Sequence, residues 1–263
     1  MKFLRRTPIL NRISISILQL FGNILKVVFF VHFKLFPNQR FLIPKYTKPI
    51  WKTKNNPTIP KKIWQTNYTN KVTFPVYFNY LWNRLMAPTF EYHYWIDNDR
   101  VSFINENFSS EIFDAFNKIQ IGAAQADYWR ILVLLKYGGI YLDNDAAFTF
   151  PPQTFLSSKD EELFIKVKSN EITNYFLASK PNHPIFSAIA HQIKINIDEN
   201  KLTCVYNMTG PRVVDLIVKD LQLNIQQHRF VCKQGIFMRK SMQYPDNLKN
   251  CWTIEQKNKS ILK

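Results

Sequence analysis

The sequence predicts an α/β fold, an open sheet with helices on its faces and a ligand site at the carboxyl ends of its strands. Three observations lead there. From residue 59 onward, short apolar or aromatic strand-like runs alternate with helical stretches. A strong helix over Gly122–Tyr137 meets its stop at Gly138-Gly139. A short strand, Ile140–Leu142, then runs straight into the acidic triplet Asp143-Asn144-Asp145. A length of 263 residues suits one such domain with a short appendage.

In chain order, the first element is an apolar helix over Ile13–Phe36, preceded by Arg5, Arg6 and Arg12. It is long enough to span a bilayer. Yet Arg12, Ser16, Gln19, Asn23 and Lys26 recur at helical spacing. A narrow polar stripe on an apolar helix predicts an amphipathic element lying in the membrane interface with the stripe as its wet edge. A spanning anchor and a helix packed on the rest of the chain are the other two readings. The charged start also looks like a secretory signal, but no small-residue cleavage site follows the apolar run. Pro37 ends the helix. Residues 1–37 are therefore read as a membrane-associating helix. Residues 38–58, with Pro44, Pro49 and Pro57, are read as a linker, and 59–263 as the compact domain. Within that domain, Lys61–Gln65 and the aromatic-rich Glu91–Asp97 are strand-like, and Val76–Met86 and Ser109–Lys118 are helical. After the acidic triplet, Leu163–Val167 and Thr173–Ala178 read as strands. Pro184–Ile197, with proline in its first turn, and Thr209–Leu221 read as helices.

Composition narrows the partners. The formal net charge is +16, from 35 Lys and Arg against 19 Asp and Glu. Such a surface attracts polyanions or an anionic membrane. No zinc spacing, RNP-type aromatic motif or basic helix with heptads is present, so no specific nucleic-acid partner is expected. Aromatic residues make up 15% of the chain; they fill cores first, and a flat ring also covers the apolar face of a pyranose. Cys204, Cys232 and Cys251 are odd in number and widely spaced. They give neither a disulfide framework nor a metal knuckle, and they fit a reducing compartment. Sequons at Asn67, Asn107, Asn207 and Asn258 carry little weight in a chain this rich in asparagine.

Two features of Gly122–Asp145 are chemically costly unless used. Asp127 and Arg130 lie three apart on one face of a helix whose run ILVLL marks it as largely buried. A structural ion pair is the plain alternative. Asp143 and Asp145 are two apart, so an extended strand end presents both carboxylates on one face. Close like charges call for a cation between them. Hard oxygen ligands in a half-open site suit Mn²⁺ or Mg²⁺ with a diphosphate completing the shell.

The combined pattern A-x-A-D-x-x-R-x-x-x-L-x-x-Y-G-G-x-Y-x-D-x-D resembles glycosyltransferase family 32, the transferases with a DXD sugar-binding region. That family includes yeast-type initiating α-1,6-mannosyltransferases, bacterial capsule and lipopolysaccharide transferases and, more distantly, clostridial glucosylating toxins. Ile59-Pro60-Lys61-Lys62-Ile63-Trp64-Gln65-Thr66 is similar to the family's opening strand, with Trp64 where histidine is commoner. Tyr94-Trp95-Ile96-Asp97, Asn174 and Thr209-Gly210-Pro211 match further positions. The resemblance implies a GT-A-like, Rossmann-like open sheet and a nucleotide-diphospho-sugar donor. It also implies Mn²⁺ or Mg²⁺ and transfer of a hexose, with retention of configuration, to a glycan or lipid-linked glycan acceptor. By the same resemblance Asp145 would be the direct metal ligand, and Asp143 would bind ribose or donor sugar and the metal through water. Asp127 and Arg130 would hold the donor hexose, Asn174 would reach the transferred sugar, and Trp64, Gln65 and Thr66 would line the base pocket. Asp127, Arg130 and Asn174 are thus the candidate catalytic residues. The expected location is the cytoplasmic face of a bacterial inner membrane, with a Golgi type II protein as alternative. An inactive sugar-binding module and a metal-dependent phosphohydrolase are the rival functions.

Overall fold

The computed structural model describes residues 8–243 and 252–263. Arg5, Arg6 and Cys251 lie outside the described residues. The elements are α1 (Pro8–Leu35), β1 (Phe41–Leu42), β2 (Tyr46–Thr47), β3 (Lys62–Thr66), β4 (Lys71–Val72), α2 (Phe74–Met86), β5 (Glu91–Trp95), α3 (Asp97–Asn107), α4 (Ser110–Lys118) and α5 (Gly122–Tyr137). They continue with β6 (Gly139–Leu142), β7 (Ala146–Phe148), α6 (Pro152–Phe155), β8 (Glu162–Lys166), β9 (Ile172–Ser179), α7 (Pro184–Glu199), α8 (Val205–Met208), α9 (Pro211–Val218), β10 (Ile225–Gln227), β11 (Cys232–Gln234), α10 (Lys240–Gln243) and α11 (Trp252–Asn258).

The central sheet has seven strands in the order β10-β8-β9-β6-β3-β5-β2. β3 is parallel to both β5 and β6, whereas β9 runs antiparallel to β6 and β8. The expected open α/β sheet is therefore present and mixed. Both of its faces are covered, and the strands show why in their alternation. Trp64, Tyr141, Phe164 and Leu177 point to the side where α5, α7 and α9 pack. Ile63, Ile140, Leu142, Phe176 and Ala178 point to the side where α2 supplies Val76 and Tyr80. Residues two apart on a strand share a face, so these near-continuous apolar runs belong to strands buried on both sides.

Several short elements and one longer helix were not expected from the sequence, and α3 and β2 show why. α3 is polar along most of its length and weakly patterned, so periodicity does not reveal it. It starts because the Asp99 carboxylate accepts the Ile96 backbone N–H, and Arg100 is buried against Asp97 and Thr66. β2 lies in the stretch read as a linker and forms the sheet edge, pairing Tyr46 with His93 and Thr47 with Tyr92. Ile43 beside it is fully buried. Prolines at 44 and 49 flank this strand, in keeping with the tolerance of sheet edges for residues that cannot donate.

The turn from α5 into β6 uses both glycines. Gly138 and Gly139 have φ of +63° and +107°, and a Cβ on Gly139 would lie 2.7 Å from the Lys62 carbonyl oxygen. Only glycine allows this conformation and this approach of β6 to β3.

α1 packs one edge on the domain. A Cβ on Gly22 would lie 2.4 Å from the Ile236 carbonyl oxygen, and Phe29 is buried between Phe74 and Phe78 at ring separations of 5.1 and 5.3 Å. From Ile15 to His32 the helix stays against the domain, roughly 25 Å at 1.5 Å per residue. The polar stripe lies on the domain side of the helix: Arg12, Ser16, Gln19, Asn23 and Lys26 line open cavities there, with Arg12, Ser16 and Asn23 exposed. The apolar side faces outward instead, with Leu20 64% and Val27 59% exposed.

Candidate functional site

α5 runs antiparallel to β6, so its first half lies beside the carboxyl end of that strand, where the acidic triplet begins. The triplet is held by a rigid frame. The Asp143 backbone N–H donates to Tyr175 of β9 at 2.9 Å, and its carbonyl accepts from the Ala146 N–H at 2.9 Å and from the Gln65 side chain at 3.0 Å. Asn144 is buried and donates to the Thr66 carbonyl at 2.8 Å, while Asn79 donates to the Asn144 and Ala146 carbonyls at 2.9 Å each. With backbone and Asn144 fixed from three elements, the flanking carboxylates have a set direction.

They converge. The Gln234 amide nitrogen lies 3.0 Å from Asp143 Oδ2 and 3.2 Å from Asp145 Oδ1, bridging the pair. The other Asp143 oxygen accepts the Tyr141 hydroxyl at 2.7 Å and sits 3.2 Å from Arg130 Nη1. Arg130 Nη2 lies 2.9 Å from Asp127 Oδ1, Nη1 donates to the Asn174 carbonyl at 2.8 Å, and the guanidinium stacks 4.3 Å from the Tyr141 ring centre. Asp127 also accepts the Asn174 side chain at 2.9 Å and the Thr209 hydroxyl at 3.3 Å.

Side-chain exposure rises outward, from 6% at Arg130 and 10% at Asp127 to 26% at Asp143. Burial pushes the Asp127 carboxyl up to about 6; Arg130 pulls it down and the Asp143 charge adds to the rise. Burial and the neighbouring Asp143 and Asp145 charges also raise the Cys232 thiol, which keeps it protonated and inert.

Two carboxylate oxygens about 3 Å from one point are a hard-oxygen donor set, so Asp143 and Asp145 fit a divalent cation there. A second cluster, Glu161, Glu162 and His183, lies away from this edge. His183 Nδ1 accepts the Ile185 N–H at the start of α7, which leaves the proton on Nε2, facing Glu162 at 3.1 Å, while Glu161 pairs with Lys180. That cluster is accounted for as a helix cap.

Asp127, Arg130, Asn174, Asp143 and Asp145 are brought together as the sequence suggested. Trp64, Gln65 and Thr66, expected to line the base pocket, have buried side chains that are bonded within the fold. Trp64 is 2% exposed, donates to the Gly138 carbonyl at 2.8 Å and stacks on His93 at 4.2 Å. Gln65 spans from the Tyr92 hydroxyl to Asp143, and Thr66 donates to the Trp95 carbonyl while accepting from Arg100. All three build the frame. Tyr141 and Gln234 were missed. Tyr141 is two residues before Asp143 and on its face, a signal available in the strand pattern. Gln234 arrives from 91 residues away with no local mark.

The family described as the glycosyltransferase sugar-binding region containing the DXD motif matches residues 75–162. An uncharacterized glycosyltransferase of Acanthamoeba polyphaga mimivirus is 34% identical over 47% of this chain and 49% of that protein. Inositol phosphoceramide mannosyltransferase 1 of Schizosaccharomyces pombe is 28% identical over 61% of this chain and 46% of its own length. A mannosyl phosphorylinositol ceramide synthase of Saccharomyces cerevisiae is 26% identical over 51% and 35%. The chain thus spans half or less of the length of these relatives. Among solved structures, the PaToxG glycosyltransferase aligns with a TM-score of 0.47 at 14% identity, over 80% of this chain and 79% of that one. Residues 75–162 thus match a DXD-containing glycosyltransferase sugar-binding region, and the chain is similar in sequence to proteins named as glycosyltransferases.

Proposed function

We propose that this chain moves a hexose from a nucleotide-diphospho-sugar to a glycan or glycolipid acceptor, with Mn²⁺ or Mg²⁺ held by Asp143 and Asp145. The observation that carries the reading is the meeting of the two carboxylates at the end of β6 with the Asp127–Arg130–Asn174 network behind them. Asp145 is the direct ligand, and Asp143, tied to Tyr141 and Arg130, orients the donor. Bound there, the cation stabilises negative charge on the departing diphosphate. Arg130, fixed between two carboxylates and over Tyr141, holds its positive charge behind the donor site without having to reorganise. Asn174 and Asp127 hold the hexose, and retention of configuration follows the family resemblance. The named activities of the fungal relatives favour mannose as the hexose and a lipid-linked acceptor.

Membrane association is part of the proposal. An apolar face running the length of α1 and open to solvent is larger than a soluble monomer usually shows. Packing of the opposite edge along the domain supports a helix lying in the interface over one that crosses. The +16 charge adds attraction to an anionic surface. The test is a screen of nucleotide-sugars for Mn²⁺-dependent hydrolysis and thermal stabilisation. One donor is expected to stabilise and turn over. Stabilisation without turnover would instead assign a binding module, and metal-dependent release of phosphate from simple esters would assign a phosphohydrolase.

A further inference from the structure

The polar stripe of α1 builds something. A cavity of about 650 Å³ opens between α1 and the domain, lined by Arg12, Ser16, Lys168, His228, Arg229 and Lys233 among others. A second, of about 230 Å³, shares Gln19 and Lys233 with it and adds Asn23, Lys26 and Gln234. Gln234 is the residue that bridges Asp143 and Asp145. The two cavities therefore lie side by side along α1, and the smaller ends at Gln234, whose amide contacts the acidic pair.

The charge in the larger cavity is of one sign. Among the described residues, no carboxylate forms an ion pair with Arg12, Lys26, Lys168, Arg229 or Lys233. Burial and then neighbouring cations depress Lys233, which feels Lys168 and Lys26, and His228, which feels Lys233, Arg229 and Lys168. The Arg229 Nε is buried without a hydrogen-bond partner. Cations gathered against one another in a half-open cavity are an anion site. The same helix that supplies Arg12, Ser16 and Gln19 presents Ile13, Ile17 and Leu20, the next residue in each case and about 100° round the helix, outward, so an apolar surface adjoins the cationic one.

Resting on the transferase reading above, we infer that the two cavities form the acceptor subsite. The larger takes the anionic phosphodiester of a membrane lipid headgroup, whose acyl chains lie along the outer face of α1. The smaller takes the sugar-accepting hydroxyls beside Asp143 and Asp145. α1 is then a wall of the acceptor site as well as the membrane-facing element.

The test uses the full chain with Mn²⁺ and three vesicle types: phosphatidylcholine alone, phosphatidylcholine with phosphatidylglycerol, and phosphatidylcholine with oleate at equal charge. Flotation with phosphatidylglycerol vesicles is expected to exceed flotation with oleate vesicles. Arg12→Glu combined with Lys168→Glu, both exposed and outside the donor network, should weaken it by about a thousandfold, roughly thirtyfold for each reversed charge, with the melting temperature unchanged. Donor hydrolysis should be retained in that variant. Equal flotation with oleate and phosphatidylglycerol vesicles would overturn the phosphodiester site, as would a variant that binds like the parent. Displacement of bound vesicles by a nucleoside diphosphate with Mn²⁺ would also overturn it, because the cavity would then belong to the donor. Failure of every nucleotide-sugar to turn over would count against the transferase reading alone, since flotation is read independently of turnover.

Discussion

α5 and α1 are both long apolar helices that carry a few polar residues, and they use them in opposite ways. In α5 the apolar surface goes all round and is buried, so Asp127 and Arg130 are held inside by each other, by Asn174 and by Thr209. In α1 the apolar surface faces out, and the polar stripe is turned against the domain as the wall of a cavity. The lesson is that a polar residue on an apolar helix is interpreted by what the rest of the helix packs against. Periodicity alone gives the stripe and leaves its direction open.

The sharpest break on the α5 side is Arg130→Ala. It leaves Asp127 buried without its cation, a loss of about 3–5 kcal/mol in systems of this type. A large drop in melting temperature and loss of turnover are expected together. Arg130→Lys should recover part of the stability and little of the activity, because lysine lacks the planar fork that reaches Asp127, Asp143 and the Asn174 carbonyl at once. Specific activity per folded molecule separates the two effects, and near-normal activity in the lysine variant would reduce the pair to a structural one.

On the α1 side, Gly22→Leu drives a side chain into the Ile236 backbone and lifts the helix from the domain. Overpacking of this kind costs about 1–3 kcal/mol. Transfer to a lipid-linked acceptor is expected to fall further than donor hydrolysis. Equal loss of both would mean that α1 supports the whole site.

A pH series in metal-free protein sharpens the contrast. The folded Asp127 carboxyl, at about 6, lies above its ordinary value of 3.8, so the folded state holds its proton more tightly than the unfolded chain. This group therefore contributes stability below pH 3.8 that is lost as pH rises toward 6. Asp127→Asn should flatten the melting-temperature profile between those values, and an unchanged profile would contradict the burial argument.

The smallest effect on folding is expected from Leu20→Ser with Val27→Ser on the outer face of α1. Exposed positions of this kind change stability by about 0.5 kcal/mol or less. Vesicle flotation should nevertheless fall, and unchanged flotation would remove the apolar face from the membrane reading.

Much of this was legible beforehand. The helix stop at Gly138-Gly139, the strand behind Asp143 and the shared face of Asp127 and Arg130 follow from local spacing, whereas the meeting of that pair and Asn174 with the acidic residues was implied by the family resemblance. Trp64, Gln65 and Thr66 were placed on the right strand, but the bonds that hold their side chains in the fold were not legible. A strand end shows which residues are near a site and not which of their atoms are already bonded. α3 was hidden because its stability comes from Asp99 at its start and the buried Arg100. β2 was hidden because two residues of edge pairing leave no pattern. Gln234 depends on a contact across 91 residues, which no local rule reaches.

The central claim is that Asp145 holds a divalent cation needed for donor cleavage, and metal-dependent turnover of a nucleotide-sugar by wild type and Asp145→Ala tests it most directly. Several kcal/mol of charge stabilisation correspond to a loss of about a thousandfold. The account predicts that loss in the variant, an equal loss in wild type on adding EDTA, and a melting temperature close to wild type in metal-free buffer. Turnover that survives both EDTA and Asp145→Ala would contradict it.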